Sequence, residues 1–186
     1  MNSNIQNPET LQSIQSLDEL ATSLSEEEQS KFSDLLHSLN LPTSAFDNYS
    51  SWSAESYTRN CIIENEKFEL ILICWEQGQI TPIHNHDGQE CWVRIIDGEF
   101  RETIYQLDDV GELNVIRSTI SKSNDITYMI DFMGFHSLEN LSNKRSMSLH
   151  LYAKPIRNCK LFDDKTRKFV NKDLTYDTVS LILTKN

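Results

Sequence analysis

Two histidines separated by one residue, His84 and His86, lie between Gly78 and Gly98 in the pattern G-x5-H-x-H-x4-C-x6-G, whose cysteine is Cys91. On a β-strand both imidazoles would point to one face, because side chains alternate with a period of two. Two imidazoles on one face form half of a transition-metal site. An H-x-H pair alone is also compatible with partly exposed strand histidines, but the glycines and the cysteine at these offsets favour metal binding.

A third ligand must come from the remaining histidines, His37, His136 and His150. His37 falls in an amphipathic helical segment and is interpreted as a surface residue. His136 stands in the pattern G-x-H-x3-N, which resembles the second motif of the cupin superfamily, as Gly78–Gly98 resembles the first. That resemblance implies a small antiparallel barrel in which both motifs face one lumen and three imidazoles surround one point.

The identity of a fourth ligand is left open by the residues Glu90 and Cys91. Glu90 would create a site with three histidines and one carboxylate, suited to manganese, iron or nickel. Cys91 as a ligand would favour zinc. Alternatively, Cys91 is a buried small residue without a role in binding.

Ser148, His150 and Tyr152 alternate along S-L-H-L-Y and are predicted to share one strand face. Such a row suits a hydrogen-bonded relay in which His150 orients the Tyr152 hydroxyl, or a purely structural network. Arg59 beside Tyr57 is either a surface charge or a clamp for a substrate carboxylate.

Cys159 follows the last long predicted strand. It is interpreted either as part of a cavity mouth or as a buried thiol without a role.

The elements that must position these residues begin with two predicted helices in the first fifty residues. An apolar stripe at helical spacing predicts the first helix, and a capping-box pattern at Ser25 and Glu28 predicts the start of the second. Glu26–Glu28 is interpreted as its first turn, and Asn40 with Pro42 as its end. The stripe consists of Leu11, Ile14, Leu17, Leu20 and Leu24, and the face of the second helix consists of Phe32, Leu35, Leu36 and Leu39.

From Tyr57 onward, short apolar or alternating segments bounded by turn residues predict β-strands. With no helices between them, they favour an antiparallel barrel or sandwich, a mainly β fold. We expect a helical segment over 1–54 packed on a β-barrel over 55–186, a single structural domain overall. The tail adds weak strands, of which Val179–Leu183 is the clearest. The predicted strands are Arg59–Ile63, Phe68–Trp75, Cys91–Ile96, Arg101–Leu107, Leu113–Ile120, Thr127–Ile130, His136–Leu141 and Met147–Tyr152.

Composition restricts the class of function. The chain has 186 residues, a formal net charge of -11 and a pI near 4.8, which argue against nucleic acid as a partner. Met1–Glu9 lacks the features of a signal peptide, and the longest apolar run, Leu70–Trp75, is too short to cross a bilayer. The four cysteines form no C-x-x-C pair, so we expect a cytoplasmic, soluble protein with reduced thiols and no disulfide scaffold.

Taken together, the chain resembles the cysteine dioxygenase family across nearly all of residues 57–162. The matching stretches are YTRN (57–60), ILICW (71–75), HNH with Cys91, DGEFRETIY (97–105), His136 with ENLS (139–142), SLHLY (148–152) and Cys159. The resemblance implies Fe(II) on His84, His86 and His136. It also implies a thioether between Cys91 and the ring of Tyr152, with Arg59 and Tyr57 holding the substrate carboxylate.

In this interpretation, L-cysteine binds iron through its thiolate and amine, Tyr152 assists the oxygen chemistry, and O2 converts the thiol to cysteine sulfinate. We expect a monomer. Three alternatives are dioxygenation of 3-mercaptopropionate, another metal-dependent cupin enzyme that uses Glu90, and a non-catalytic cupin that binds a small ligand. Arg59 favours cysteine over 3-mercaptopropionate, because the resemblance implies that enzymes specific for 3-mercaptopropionate have glutamine at this position.

Overall fold

The computed structural model describes residues 12–180. The chain divides into two compact units, Met1–Leu41 and Pro42–Asn186. This division falls earlier in the chain than the boundary predicted between residues 54 and 55. The proposed packing of the helical segment on the barrel stays a prediction.

The first unit contains two helices, α1 (Leu17–Glu26) and α2 (Phe32–Ser38), joined by a 3₁₀ helix at Gln29–Lys31. The predicted apolar stripe is buried at Leu17, Leu20 and Leu24, because these side chains share one face of α1. Of the other predicted stripe residues, Ile14 pairs with Leu39 in an isolated bridge, and Leu11 lies outside the described residues.

The predicted capping box at Ser25 and Glu28 is wrong. Ser25 lies in the last turn of α1, where its hydroxyl donates to the Ala21 carbonyl at 2.8 Å. The second helix, α2, begins without a side-chain cap. The same S-x-x-E spacing at Ser16 and Glu19 does mark a helix start, that of α1, where the Ser16 hydroxyl accepts the Glu19 N–H at 3.0 Å. Glu26–Glu28 is therefore no first helical turn.

The second unit begins with a 3₁₀ helix at Thr43–Tyr49 and continues as a β fold, interrupted by a second 3₁₀ turn at Asp131–Met133. Each predicted strand from Arg59 to Tyr152 is present, with shifts of one or two residues at its ends. The strands are β1 (Thr58–Glu64), β2 (Glu69–Trp75), β3 (Cys91–Asp97), β4 (Glu99–Leu107), β5 (Leu113–Lys122), β6 (Ile126–Met129), β7 (Phe135–Asn140), β8 (Ser146–Tyr152), β9 (Asn158–Asp163), β10 (Lys168–Asp173) and β11 (Thr178–Val179).

The tail therefore contains the weak strands that the sequence predicts. Of the predicted segment Val179–Leu183, the structure shows a strand only at Thr178–Val179. Residues 181–183 lie outside the described residues.

The strands form two layers. One sheet has the order β11-β1-β2-β8-β3-β6, in which only the β1–β11 pair is parallel. The other layer contains the sheet β5-β4-β7 and the hairpin β9–β10, and residues 80–85 bridge the two through backbone pairing with β7 and β9. In this segment His84 bridges both His136 on β7 and Leu161 on β9. Two facing, mostly antiparallel sheets are the arrangement of a double-sheet jelly roll.

Side chains from both layers meet in one core. Ile71, Val93 and Tyr152 contribute from the first sheet, and Phe100 and Leu138 from the second. The helices described in residues 12–180 include none that is long and apolar enough to span a membrane.

A tight turn at Gly98 links β3 to β4, because this residue alone separates the two strands. Its φ of 106° lies in the region that favours glycine, and a Cβ there would clash with the Ser146 side chain. The turn carries the chain from the first sheet to the second, which brings the H-x-H segment and β7 to one cavity.

Candidate active site

The three histidines of the two motifs converge on one point. Their ligand nitrogens all lie within 4.8 Å of one another, and the group that they form contains no carboxylate or thiol among residues 12–180. His84 and His86 lie in the irregular segment between β2 and β3 rather than on a regular strand, and His136 lies on β7. His86 is 1% and His136 2% exposed. A buried cluster of three imidazoles suits a transition metal.

Hydrogen bonds orient two of these rings toward the common point. Nδ1 of His84 donates to the Pro82 carbonyl at 2.9 Å, and Nδ1 of His136 donates to Oε1 of Glu102 at 2.9 Å. Each bond leaves a lone pair on Nε2, the state that binds a metal. The Nε2 atoms of His86 and His136 are 2.9 Å apart. Two nitrogens bound at a right angle to one metal at about 2.1 Å would lie about 3 Å apart. The donor set therefore fits a metal ion.

The electrostatic environment keeps two of these imidazoles neutral. Burial, together with the nearby His136, lowers the pKa of His84 to about 3. Burial also lowers the pKa of His86 well below its usual value, with the same neighbour adding to the effect. Neutral imidazole is the form that coordinates metals, so folding prepares the ligands for binding.

One carboxylate anchors the loop that carries the H-x-H pair. Asp131 accepts the backbone N–H of His86 at 2.7 Å, the N–H of Gly88 at 2.8 Å and the side-chain amide of Asn85 at 2.9 Å. The Asn85 side chain also accepts the Lys160 N–H at 2.8 Å, which ties the loop to β9. Because the hydrogen bonds fix the loop backbone, they also position the two rings.

The alternative with Glu90 as a metal ligand is contradicted by its position. The Tyr128 hydroxyl donates to Oε2 of Glu90 at 2.8 Å, and Glu90 belongs neither to the histidine group nor to the cavity lining. Cys91, the next residue, is fully buried in the core. Because successive side chains of an extended chain point to opposite sides, an inward Cys91 directs Glu90 outward.

Cys91 and Tyr152 face each other across the β3–β8 pair. The Tyr152 hydroxyl and the Cys91 thiol form a hydrogen bond, and the Tyr152 ring packs against His86 at 5.5 Å between centroids. Burial raises the pKa of both groups well above their usual values, and the hydrogen bond raises that of Tyr152 further. Both therefore remain protonated near neutral pH.

The predicted Ser-His-Tyr row lies on one buried face of β8. Nε2 of His150 and the Ser148 hydroxyl are 2.8 Å apart, and that hydroxyl also accepts the Trp75 indole N–H at 2.9 Å. His150 and Tyr152 stack with ring centroids 6.4 Å apart. His150 thus supports Tyr152 through ring packing, while the Tyr152 hydroxyl bonds Cys91.

A cavity of about 640 Å³ opens beside the three histidines. The predicted site residues that line it are Tyr57, Arg59, His84, His86, His136, His150, Tyr152 and Cys159, whereas Ser148 and Cys91 lie behind this surface. Nε and Nη2 of Arg59 are buried without a hydrogen-bond partner. A buried cation with two free donors is suited to an anionic ligand.

Three residues of this site have no counterpart in the sequence analysis. Glu102 and Asp131 position the histidines, and Tyr176 contacts Arg59 from the C-terminal segment. The β4 alternation could have indicated that Glu102 faces inward. No local pattern pointed to Asp131 or Tyr176, because their partners are distant in sequence.

Two facing sheets around a buried three-histidine group define a metal-binding protein of the cupin class. A family model described as cysteine dioxygenase type I matches residues 4–165. The chain belongs to this family of enzymes.

Two curated proteins and one solved structure illustrate what the chain is similar to. Human cysteine dioxygenase type 1 is 30% identical over 142 residues, 74% of this chain and 71% of the human protein. The bovine protein of the same name is 33% identical over 122 residues, 63% of this chain and 61% of the bovine one. A solved double-stranded β-helix protein from Klebsiella pneumoniae has a TM-score of 0.46 at 19% identity, over 57% of this chain and 80% of that one.

Proposed function

We propose that this protein is an Fe(II)-dependent dioxygenase that converts L-cysteine and O2 to cysteine sulfinate. The observation that carries the proposal is one cavity that contains both the three-imidazole group and the unpartnered donors of Arg59. A thiol with a nearby carboxylate can satisfy both features at once. The membership of the cysteine dioxygenase type I family supports this choice.

His84, His86 and His136 would hold the iron. Their neutral nitrogens leave the charge of a divalent ion uncompensated, which favours an anionic thiolate as a further ligand. When bound, Fe(II) would supply open coordination positions for the thiolate and amine of the substrate and for dioxygen. The residues of the chain bind and orient the substrate around this point.

Arg59 is proposed to bind the substrate carboxylate through Nε and Nη2, its two free donors. The Tyr57 hydroxyl is proposed as a further donor to the same group. Burial raises the pKa of Tyr57, so that its hydroxyl keeps its proton. Cys159 lines the same cavity and is proposed to limit the space around the substrate.

Tyr152 is proposed to donate a hydrogen bond to the reacting oxygen or to the carboxylate. Its pKa is raised well above the usual value, chiefly by burial, so it remains a phenol and a donor. Ser148 and His150 hold the adjacent part of β8 through their hydrogen bond, and the His150 ring packs on Tyr152. This arrangement would fix the direction of the phenol without a mobile loop.

Oxygen consumption tests the proposed reaction. We expect protein reconstituted anaerobically with Fe(II) to consume one O2 for each L-cysteine and to release cysteine sulfinate, identified by mass spectrometry. The same assay with 3-mercaptopropionate is expected to be slower, because that thiol lacks the amine. Preference for 3-mercaptopropionate would change the substrate assignment. Iron-loaded protein that consumes no O2 with either thiol would contradict the dioxygenase proposal.

A thioether between Cys91 and Tyr152 is proposed as a modification of the site. The sulfur would bond a ring carbon with loss of the thiol hydrogen and one ring hydrogen, and dioxygen would take up the two electrons and two protons. We expect the intact mass to fall by two hydrogens after turnover with L-cysteine in air. The Cys91→Ala variant should show no such loss. An unchanged wild-type mass after turnover would contradict the cross-link.

The partner class, oligomeric state and cellular location of the protein stay predictions. The acidic balance, with a formal net charge of -11, supports a small-molecule substrate rather than nucleic acid. A monomeric state and a cytoplasmic location are proposed on the same composition and on the four free cysteines.

A further inference from the structure

The Tyr176 hydroxyl contacts a cluster of charged groups, of which Glu69 is buried and Glu64 and Arg157 are partly exposed. Its hydroxyl lies within hydrogen-bond distance of Oε2 of Glu64, at 2.6 Å, and of Oε1 of Glu69. Nη1 of Arg157 donates to the same hydroxyl at 2.9 Å. The phenol oxygen is therefore held by three charged residues on one side of the ring.

Glu69 is the unusual member of this cluster, because a fully buried carboxylate is rare in a protein core. It is 0% exposed, and its other contacts are the Ile156 N–H at 3.4 Å and Nη1 of Arg157 at 3.6 Å. On β2 it stands directly opposite Tyr152 of β8, so its side chain leaves the sheet on the same face as Tyr152. Glu69 therefore points toward the interior that contains the cavity.

Arg59 lies over the Tyr176 ring. Its guanidinium carbon is 6.0 Å from the ring centroid, which is the range of a cation–π contact. Burial raises the pKa of Glu69 to about 7, and the charge of Arg59 is the largest influence in the opposite direction. Glu69 and Arg59 therefore contact the same side chain, Glu69 at the Tyr176 hydroxyl and Arg59 at its ring, while Nε and Nη2 of Arg59 have no partner.

A buried carboxylate near a free guanidinium would normally form a two-pronged ion pair with it. Such a pair would occupy the donors that the substrate carboxylate needs. We propose that Tyr176 is a specificity-determining positioning residue that holds Glu69 away from Arg59 and so keeps the Arg59 donors free for a substrate carboxylate. This inference rests on the proposed function in one respect, the assignment of Arg59 as the carboxylate-binding residue.

The test measures binding of two thiols to the Fe(II)-loaded protein without oxygen, by calorimetry. L-Cysteine has the carboxylate, and cysteamine keeps the thiol and the amine but lacks it. For Tyr176→Phe we expect the Kd for L-cysteine to rise about tenfold, since Glu69 then competes for Arg59 with about the strength of one charged hydrogen bond. The Kd for cysteamine is expected to stay within twofold of the wild-type value.

The double variant Tyr176→Phe with Glu69→Gln separates competition from loss of structure. Its Kd for L-cysteine is expected to return to within about twofold of wild type, because a neutral amide competes weakly for Arg59. Tyr128→Phe is the matched control, since it removes a phenol–carboxylate hydrogen bond outside the cavity lining. It is expected to leave both Kd values unchanged.

Two results would overturn the inference. One is a Tyr176→Phe variant that binds L-cysteine as tightly as wild type. The other is a double variant that binds it as weakly as the single one, which would show a structural role. A wild-type protein that binds cysteamine and L-cysteine equally would instead remove the carboxylate-binding role of Arg59, and the proposed function would fail together with the inference.

Discussion

Replacing Arg59 by glutamine is expected to lower kcat/KM for L-cysteine by about 10²- to 10³-fold. The side chain offers two buried, unpartnered donors to the cavity, and each charged hydrogen bond contributes roughly 1.5–3 kcal/mol. Because kcat/KM reports the whole free energy of the transition state relative to free enzyme and substrate, complete loss of both bonds would lower it by about 10²- to 10⁴-fold, and the expected loss is in the lower part of this range because glutamine can still donate. Glutamine keeps a donor but loses the charge and the planar fork.

The measurement is steady-state oxygen uptake with L-cysteine and with cysteamine. For cysteamine we expect a change of less than threefold, because no carboxylate is present to lose its partner. Arg101→Gln is the control, since Arg101 is an exposed arginine of β4 paired with Glu139. Equal losses for both thiols in Arg59→Gln would mean that Arg59 supports the fold and does not bind the carboxylate.

Replacing Glu102 by alanine is expected to weaken Fe(II) binding by about 100-fold, and by glutamine about tenfold. The Glu102 carboxylate accepts the Nδ1 proton of His136, and both side chains are 3% exposed. This bond selects the tautomer whose Nε2 lone pair faces the metal point. Glutamine can still accept that proton through its amide oxygen, but without the charge that makes the imidazole a stronger donor to the metal.

Metal affinity is measured by competition with a chelator of known affinity, and thermal unfolding is followed for each variant. In Glu102→Ala the Nδ1 donor of His136 loses its buried partner, which costs roughly 1–3 kcal/mol of folding stability. Glu99→Gln is the matched control, because Glu99 lies on the same strand but pairs with Lys122 at the surface. Wild-type affinity in Glu102→Ala would exclude a role for Glu102 in metal binding.

Local patterns were sufficient for the strands and for most of the site. Apolar or alternating segments from Tyr57 to Tyr152 predicted the strands within one or two residues, because a strand is buried on both faces, as β2 and β8 are, or on one face. The H-x-H pair was found by its spacing, although it lies in an irregular segment and not on a regular strand. The error at Ser25 arose because S-x-x-E also occurs at Ser16 and Ser23, and only the pattern at Ser16 marks a helix start.

The residues that orient the site were beyond local patterns. Glu102 is 34 residues from His136, Asp131 is 45 from His86, and Tyr176 is 107 from Glu69. Spacing reports only which side chains share a face of one element. Which groups from different strands meet depends on strand order and register, since a shift by one residue would reverse every face. The sequence by itself thus determined which histidines are candidates for metal binding. The residues that orient them could be identified only from the tertiary structure, because packing of the two sheets brings them together.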